Sequence, residues 1–291
     1  MTRRECIALA AALPSAARAA TGRPALCLFS KHLPTLNYAE LARAVKQIGF
    51  EGVDLTVRPG GHVLPERAAE DLPRAVEALH GEGLSVPMIT TGLVSAADPA
   101  ARPTLSTATR LGIGLFKLGY WQYRASDNVE ARIAEVRKDA AGLVALAKEY
   151  GIAAGFHNHS GDYVGQAVWD ARAIIGDMEP RSIGYYFDPC HAAAEGGLGG
   201  WSIALRMIQP RLKMVALKDF YWEKSGGKWN MMMCPLGEGM VDWTRVFSML
   251  AAGRFTGPVS LHVEYQPADM PAAIARDHAF ARKHIDAAYR G

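Results

Sequence analysis

Two pairs of polar residues, His157 with His159 and His262 with Glu264, stand two positions apart at the ends of short apolar runs. In a strand, residues two apart face the same side, so each pair delivers its groups to one place. Asp188 ends another such run, and His191 follows three residues later. Lys218 ends a further run, and Lys117 lies near the end of one more. Four of the nine histidines occupy these few positions. Any one of them, taken singly, reads as a hydrogen-bonded structural residue, but independent structural histidines should not gather at strand ends. Imidazoles, carboxylates and ammonium groups at one mouth can move protons and stabilise developing negative charge. Carboxylate with imidazole also suits a divalent metal (Mn, Zn, Mg or Co), which would neutralise Asp188 and Glu264 and polarise a substrate carbonyl.

Other residues near the same ends could hold a substrate. Arg58-Pro59-Gly60-Gly61-His62 follows the second apolar run, and Arg58 and His62 there suit an anionic or polyhydroxy ligand. Trp121, Tyr123, Trp222 and Trp229 fall in or near neighbouring loops; aromatic rings pack on sugar faces, and they also roof barrels. Lys218-Asp219 reads either as an ion pair or as a loop anchor, and Lys117 either as a site residue or as a snorkelling barrel residue.

The elements that must position these groups repeat along the chain. Strands are expected at 25–29, 52–57, 85–90, 114–118, 153–158, 183–188, 213–218 and 258–264, all short apolar runs of the buried, parallel kind. Helical periodicity fills the intervals. Leu41, Ala42, Val45 and Ile48 share a face in Tyr38–Ile48, as do Ile133, Val136, Ala140, Leu143 and Ala147 in Val129–Tyr150. Gly49, Gly83 and Gly151 each stop a helix before a strand. Eight such units predict an α/β fold, a single (β/α)8 TIM barrel over residues 24–291. The two longest insertions, Pro59–Glu70 and Tyr221–Gly239, follow strand C-termini, the face on which barrels do chemistry. An open doubly wound sheet would want a glycine-rich phosphate loop after strand one, where Ser30-Lys31-His32-Leu33-Pro34 stands instead.

Composition narrows the functional classes. The chain has 32 Lys+Arg against 29 Asp+Glu, a net charge of +3, which lacks the footprint of a dedicated nucleic-acid binder. No apolar run approaches the roughly 20 residues that span a bilayer. Four cysteines in 291 residues, none in a Cys-x-x-Cys pair, exclude a disulfide scaffold and a zinc ribbon. Residues 1–19 have the layout of a twin-arginine-type signal peptide: Arg3-Arg4, the apolar run Cys6–Leu13, Pro14, and the small-residue site Ala17-Arg18-Ala19. Cleavage would remove three arginines and one glutamate, leaving a mature chain at +1 with three cysteines. This implies a periplasmic or secreted protein, cytoplasmic if the segment is instead an amphipathic helix.

With these residues in view, positions 24–290 resemble the sugar phosphate isomerase/epimerase superfamily, the xylose isomerase-like barrels. Phe187-Asp188-Pro189-Cys190-His191 looks like that family's Asp-x-x-His after strand six, where the Asp binds metal and the His contacts substrate. Ala216-Leu217-Lys218-Asp219 resembles its His-x-Lys-Asp after strand seven, and Leu261-His262-Val263-Glu264-Tyr265 its strand-eight Glu ligand. Pro235-Leu236-Gly237-Glu238-Gly239 with Val241-Asp242-Trp243 is like its Gly-x-Gly segment. Two departures stand out. His157-Asn158-His159 replaces the family's Glu-Asn-His, and Ala216 replaces its strand-seven histidine, so Asp188 and Glu264 alone remain of four typical ligands. The resemblance implies a metal held by Asp188, Glu264 and His157, or a site that has lost its metal, with Lys218 filling the hole at strand seven.

The expected activity is isomerisation or epimerisation of a small sugar or keto-sugar. Glu264 or His159 takes the proton α to a carbonyl, Lys218 or the metal stabilises the enediolate, and His191 and Arg58 orient hydroxyls, with His62, Lys117, Trp121 and His262 as further substrate contacts. A lyase or dehydratase using the same enediolate and a non-catalytic periplasmic sugar-binding barrel are the alternatives. Abasic-site DNA endonucleases share the barrel, but a mature charge of +1 and an export signal count against that class.

Overall fold

The computed structural model describes residues 22–290, so the signal read in residues 1–19 lies outside the described part. The strands are β1 (Leu26–Phe29), β2 (Gly52–Val57), β3 (Ser85–Thr91), β4 (Leu115–Lys117), β5 (Ala153–His157), β6 (Ile183–Phe187), β7 (Leu212–Leu217), β8 (Asp219–Ser225), β9 (Lys228–Cys234) and β10 (Val259–Leu261). Eight of them close a parallel barrel in the order β1-β10-β7-β6-β5-β4-β3-β2, while β8 and β9 form a separate antiparallel hairpin. The helices are α1 (Tyr38–Ile48), α2 (Ala68–Gly81), α3 (Ala101–Arg110), α4 (Val129–Tyr150), α5 (Trp169–Ile175), α6 (Pro189–Ile208), α7 (Trp243–Ala252) and α8 (Met270–Ala288). This is a (β/α)8 barrel, as the eightfold repeat predicts.

Local chemistry sets the element ends. Asn37 opens α1 with a capping box to Glu40, and Asn128, Asp188, Asp242 and Asp269 cap α4, α6, α7 and α8 through their side chains. Leu41, Ala42 and Val45 of α1 and Val136, Ala140, Leu143 and Ala147 of α4 are buried on the predicted faces. Strand β2 matches the periodicity at both ends, and the other strand ends fall within three residues of it. The largest difference is β10, which ends at Leu261 rather than at Glu264. Past Leu261 the ladder continues only through His262 N–H to the Leu217 carbonyl at 2.9 Å. His262 and Glu264 therefore stand where the chain leaves the sheet, which is where a barrel builds its mouth.

Inside the barrel, Met88, Tyr186, Met214 and Ala216 form an apolar floor with Leu115 against it. Gly155 makes room for it, because a Cβ there would collide with the Met214 methyl. Burying each methionine contributes about 2 kcal/mol and seals the lower end, so solvent reaches only the upper, polar layer.

The insertion after β7 is the hairpin β8–β9, which the apolar pattern did not resolve into strands. Its two-residue turn is Gly226-Gly227, both at positive φ (59° and 76°), the geometry that matches the twist of flanking strands. Asp219 anchors its base. Its carboxylate is fully buried and accepts from the backbone N–H groups of Phe220 (2.9 Å), Gly237 (2.9 Å) and Val241 (3.2 Å) and from Trp243 Nε1 (2.8 Å). Gly239 passes so close to this carboxylate that a Cβ would clash with it. Asp219 is thus the loop anchor of the two roles its sequence position allowed. Asp219→Ala leaves four donors without an acceptor and is expected to lower stability by about 4 kcal/mol. Urea unfolding should register this, and a loss below about 1 kcal/mol would contradict the anchor.

Candidate active site

Asp188 is the N-cap of α6, directly beyond the end of β6, and its carboxylate has no exposure. Oδ1 accepts the His191 backbone N–H at 3.2 Å, which fixes it on the positive end of the helix. Oδ2 meets Lys218 Nζ at 3.1 Å, His157 Nε2 at 3.2 Å and His191 Nε2 at 3.7 Å. Asn158 holds the Asp188 backbone from both sides: its Nδ2 donates to the Asp188 carbonyl (3.0 Å), and its Oδ1 accepts the Asp188 N–H (2.8 Å). Burial alone would raise the Asp188 pKa, but Lys218, His191 and His157 outweigh it and hold the carboxyl well below its usual range. Lys218, 4% exposed, mirrors this: burial lowers it, and Asp188 and Glu264 together push it above the usual lysine value. The pair is a carboxylate and an ammonium at neutral pH. Removing either partner of such a pair costs about 3–5 kcal/mol.

The imidazoles around it are neutral, and their partners fix which nitrogen carries the proton. Burial lowers the His157 pKa to about 3. Its Nε2 faces Asp188, which only accepts, so Nε2 carries the hydrogen and Nδ1 accepts from the Tyr120 hydroxyl at 3.1 Å. His159 Nδ1 donates to the Ser160 carbonyl at 2.9 Å, leaving Nε2 as a bare acceptor on a half-buried ring; burial lowers its pKa too. His191 packs at a tilt of 36° against His159 with ring centroids 3.9 Å apart and shares a 2.7 Å hydrogen bond with the Ser160 hydroxyl.

Below these groups lies a second buried acid, Asp54 of β2, whose pKa burial raises to about 6. Thr90 (2.8 Å), Ser260 (2.8 Å) and Tyr186 (3.2 Å) donate hydroxyl protons to it. Ser260 and Tyr186 each lie 3.1 Å from His262 Nε2 and have spent their only protons on Asp54. His262 Nε2 therefore donates to them, and its Nδ1 is a bare acceptor, buried, without a hydrogen-bond partner and 3.8 Å from Glu264 Oε1.

These groups open onto one cavity of about 330 Å³, lined by Lys31, Arg58, Lys117, Tyr120, His157, His159, His191, Lys218, His262 and Glu264, with Met231 and Met233 of the hairpin at its edge. Glu264 presents both oxygens to Lys31 Nζ, at 2.8 and 2.7 Å. Burial opposes its charge, but Lys218 and Lys31 outweigh burial and lower its pKa. Of the expected site residues, Arg58, Lys117, His157, His159, His191, Lys218, His262 and Glu264 meet here, with Asp188 directly behind Lys218. His62 and Trp121 do not. His62 Nε2 bonds the Leu33 carbonyl at 3.1 Å and pins its loop, and Trp121 is buried against Phe156 with Nε1 on Asp139 at 3.3 Å. Trp222 and Trp229 lie exposed on the hairpin, and Tyr123 bonds Asp170 at 3.0 Å. A second cavity, about 510 Å³ and larger, is lined mainly by proline, glycine and aliphatic groups, with Glu66 and Asp98 its only charges, and lacks convergent acid–base chemistry.

Sequence reading missed Lys31, Tyr120, Asp54 and Tyr186. Asp54 and Tyr186 carried a signal, since each is a polar side chain on the inward row of a buried strand, and Tyr186 stands two before Asp188.

Residues 42–284 match the model of the xylose isomerase-like TIM barrel family, and the chain belongs to that family. Similar solved structures include 3-keto-D-glucoside 4-epimerase, YcjR, from E. coli in its apo form (16% identity, 90% of this chain and 100% of that one, TM-score 0.71). L-ribulose 3-epimerase is another (15% identity, 92% and 96%, TM-score 0.69). A xylose isomerase-like TIM barrel protein from Mycobacterium smegmatis in complex with magnesium is a third (17% identity, 92% and 98%, TM-score 0.71). At these identities the likeness shows a shared fold. No curated protein sequence matches the chain.

The donor set of this chain does not fit the divalent ion that the family resemblance implies. Both nitrogens of His157 are engaged, by Asp188 and Tyr120. Asp188 is committed to the α6 cap and Lys218, and Glu264 to Lys31. Among the described residues, no three His, Cys, Asp or Glu side chains converge as a metal group. Lys218 thus supplies the positive charge beside Asp188. Neither Mn²⁺ nor a chelator is expected to move the melting temperature of the protein, since a ligand raises it only by binding the native state. A rise of several degrees with Mn²⁺ would contradict this reading of the donor set.

Proposed function

We propose that the protein is an enzyme that removes the proton α to a carbonyl of a small sugar or keto-sugar and returns it to give an isomer or epimer. The observation that carries this reading is the meeting, in one cavity, of a fixed buried ammonium, Lys218, with neutral imidazoles that present bare nitrogens. The carbonyl oxygen is bound by Lys218, whose charge is already in position when the enediolate forms, so little reorganisation is needed during reaction. His159 Nε2 takes the proton. Its Nδ1–H is held by a backbone carbonyl, which orients the ring for the task. Glu264 is the weaker base of the two, because Lys31 and Lys218 stabilise its charged form. His191 and Arg58 orient hydroxyls, and Lys117 and His262 contact the rest of the ligand. No step runs through a metal. A symmetric two-carboxylate epimerisation is not available, because imidazole stands at position 157; this favours, as a second reading, expulsion of a β-substituent from the same enediolate.

Incubation with keto-sugars in D₂O, followed by proton NMR, tests the reaction. Loss of the α C–H signal is expected with the wild type, at least 100-fold slower with His159→Gln if general-base catalysis contributes its usual share. Binding without exchange would leave a sugar-binding barrel and overturn the enzyme. Release of the β-substituent would mark the lyase. His159 works as a base only when unprotonated, and burial lowers its pKa below 6.5, so the exchange rate should be level at neutral pH and fall only below that value.

We further propose export to the periplasm, supported by Arg3-Arg4, the apolar run and Ala17-Arg18-Ala19. The amino terminus of protein from the periplasmic fraction is expected near residue 20; an intact Met1 in the cytoplasmic fraction would contradict it.

A further inference from the structure

Four cations line the cavity, Lys31, Arg58, Lys117 and Lys218, against the single lining carboxylate of Glu264. Two are already paired: Lys31 with Glu264 at 2.7 Å and Lys218 with Asp188 at 3.1 Å. Arg58 and Lys117 have no carboxylate within 4.0 Å among the described residues. What they have instead are rings. Lys117 Nζ lies 3.2 Å from the centroid of Tyr120, and the Arg58 guanidinium lies 5.5 Å from that of Phe29. Lys117 ends β4 and is only 2% exposed, so its ammonium cannot be satisfied by bulk solvent. The nearest acid on its inner side, Asp54, already accepts three hydroxyl protons. Burial, and then the field of Arg58, push Lys117 well below the usual lysine range, and the opposing pull of Asp54 is too small to offset them.

A neutral sugar would leave Arg58 without an ion-pair partner and Lys117, in a closed wall, biased toward its uncharged form, because burying an unpaired charge is costly. An oxyanion would neutralise them, with Arg58 supplying a planar fork and Lys117 a point charge. We propose that Arg58 and Lys117 form an anion subsite, so that the substrate is a sugar bearing a carboxylate or a phosphate. This rests on the reading of the cavity as a substrate site, and it narrows the substrate class.

Calorimetric titration of the intact protein with D-fructose, 5-keto-D-gluconate and D-fructose 6-phosphate separates the cases. At least one anionic ligand is expected to bind 30-fold or more tightly than fructose, and more weakly as salt rises. Tighter binding of the ketogluconate assigns a carboxylate, and tighter binding of the phosphate ester assigns a phosphoryl group. Arg58→Gln, at a half-buried position that a polar residue can fill, is expected to weaken the anionic ligand at least tenfold more than it weakens fructose. Equal affinity for all three ligands, absence of binding by both anions, or an anion preference untouched by Arg58→Gln would overturn the subsite. Deuterium exchange is read separately. Anion preference without exchange would sink the proposed reaction and keep the subsite, whereas exchange on fructose without anion preference would sink the subsite alone.

Discussion

The site depends on one buried ion pair, Lys218 with Asp188. Two opposite charges without access to water are worth having only when their remaining hydrogen-bonding capacity is also satisfied. The surroundings of Asp188 do this from four directions: the first turn of α6 takes Oδ1, His157 and Lys218 take Oδ2, and Asn158 clamps the backbone. The elements that supply these groups are the ends of β5, β6 and β7 and the start of α6. The barrel closure is what brings them together, and the pair in turn sets the local field. It keeps the neighbouring histidines neutral, because a fixed ammonium adds to the penalty that burial already imposes on an imidazolium.

The barrel interior is layered, and each layer has a distinct physical task. The methionine and alanine floor excludes water from below. The middle layer, Asp54 with its three hydroxyl donors, orders a proton pattern that ends on the bare Nδ1 of His262. The upper layer, with Lys31, Arg58, His159, His191 and Glu264, faces the ligand space. Sequence periodicity produces the layering directly. Met88 and Thr90, Leu115 and Lys117, Tyr186 and Asp188, Ala216 and Lys218, and Ser260 and His262 are pairs two apart along a strand or from its last residues to the residue just past its end, each rising from one layer to the next.

That same period is why so much was legible beforehand. The eight strands, the helices Tyr38–Ile48 and Val129–Tyr150 and the gathering of His157, His159, Asp188, Lys218, His262 and Glu264 all follow from short-range spacing. What was not legible depends on distance along the chain. Lys31 and Glu264 are 233 residues apart, so nothing local announces that one cation will occupy both oxygens of the expected base. The fate of His62 turned on a single carbonyl, that of Leu33, and that of Trp121 on whether its loop folded over the mouth or into the wall. The hairpin did carry a local signal, Gly226-Gly227 between two seven-residue runs, but its strands are largely exposed and lack the apolar pattern that marked the others.

The central claim is that a tethered ammonium does the electrostatic work beside Asp188, in a barrel whose relatives include a magnesium-bound protein. The most direct measurement combines metal content with chemistry on one sample: protein stripped with chelator, assayed for bound metal, then followed by mass spectrometry for uptake of deuterium next to the carbonyl of a keto-sugar acid. The account predicts undiminished uptake by protein holding far less than one metal ion per chain. Uptake that disappears on stripping and returns with a divalent ion would contradict it.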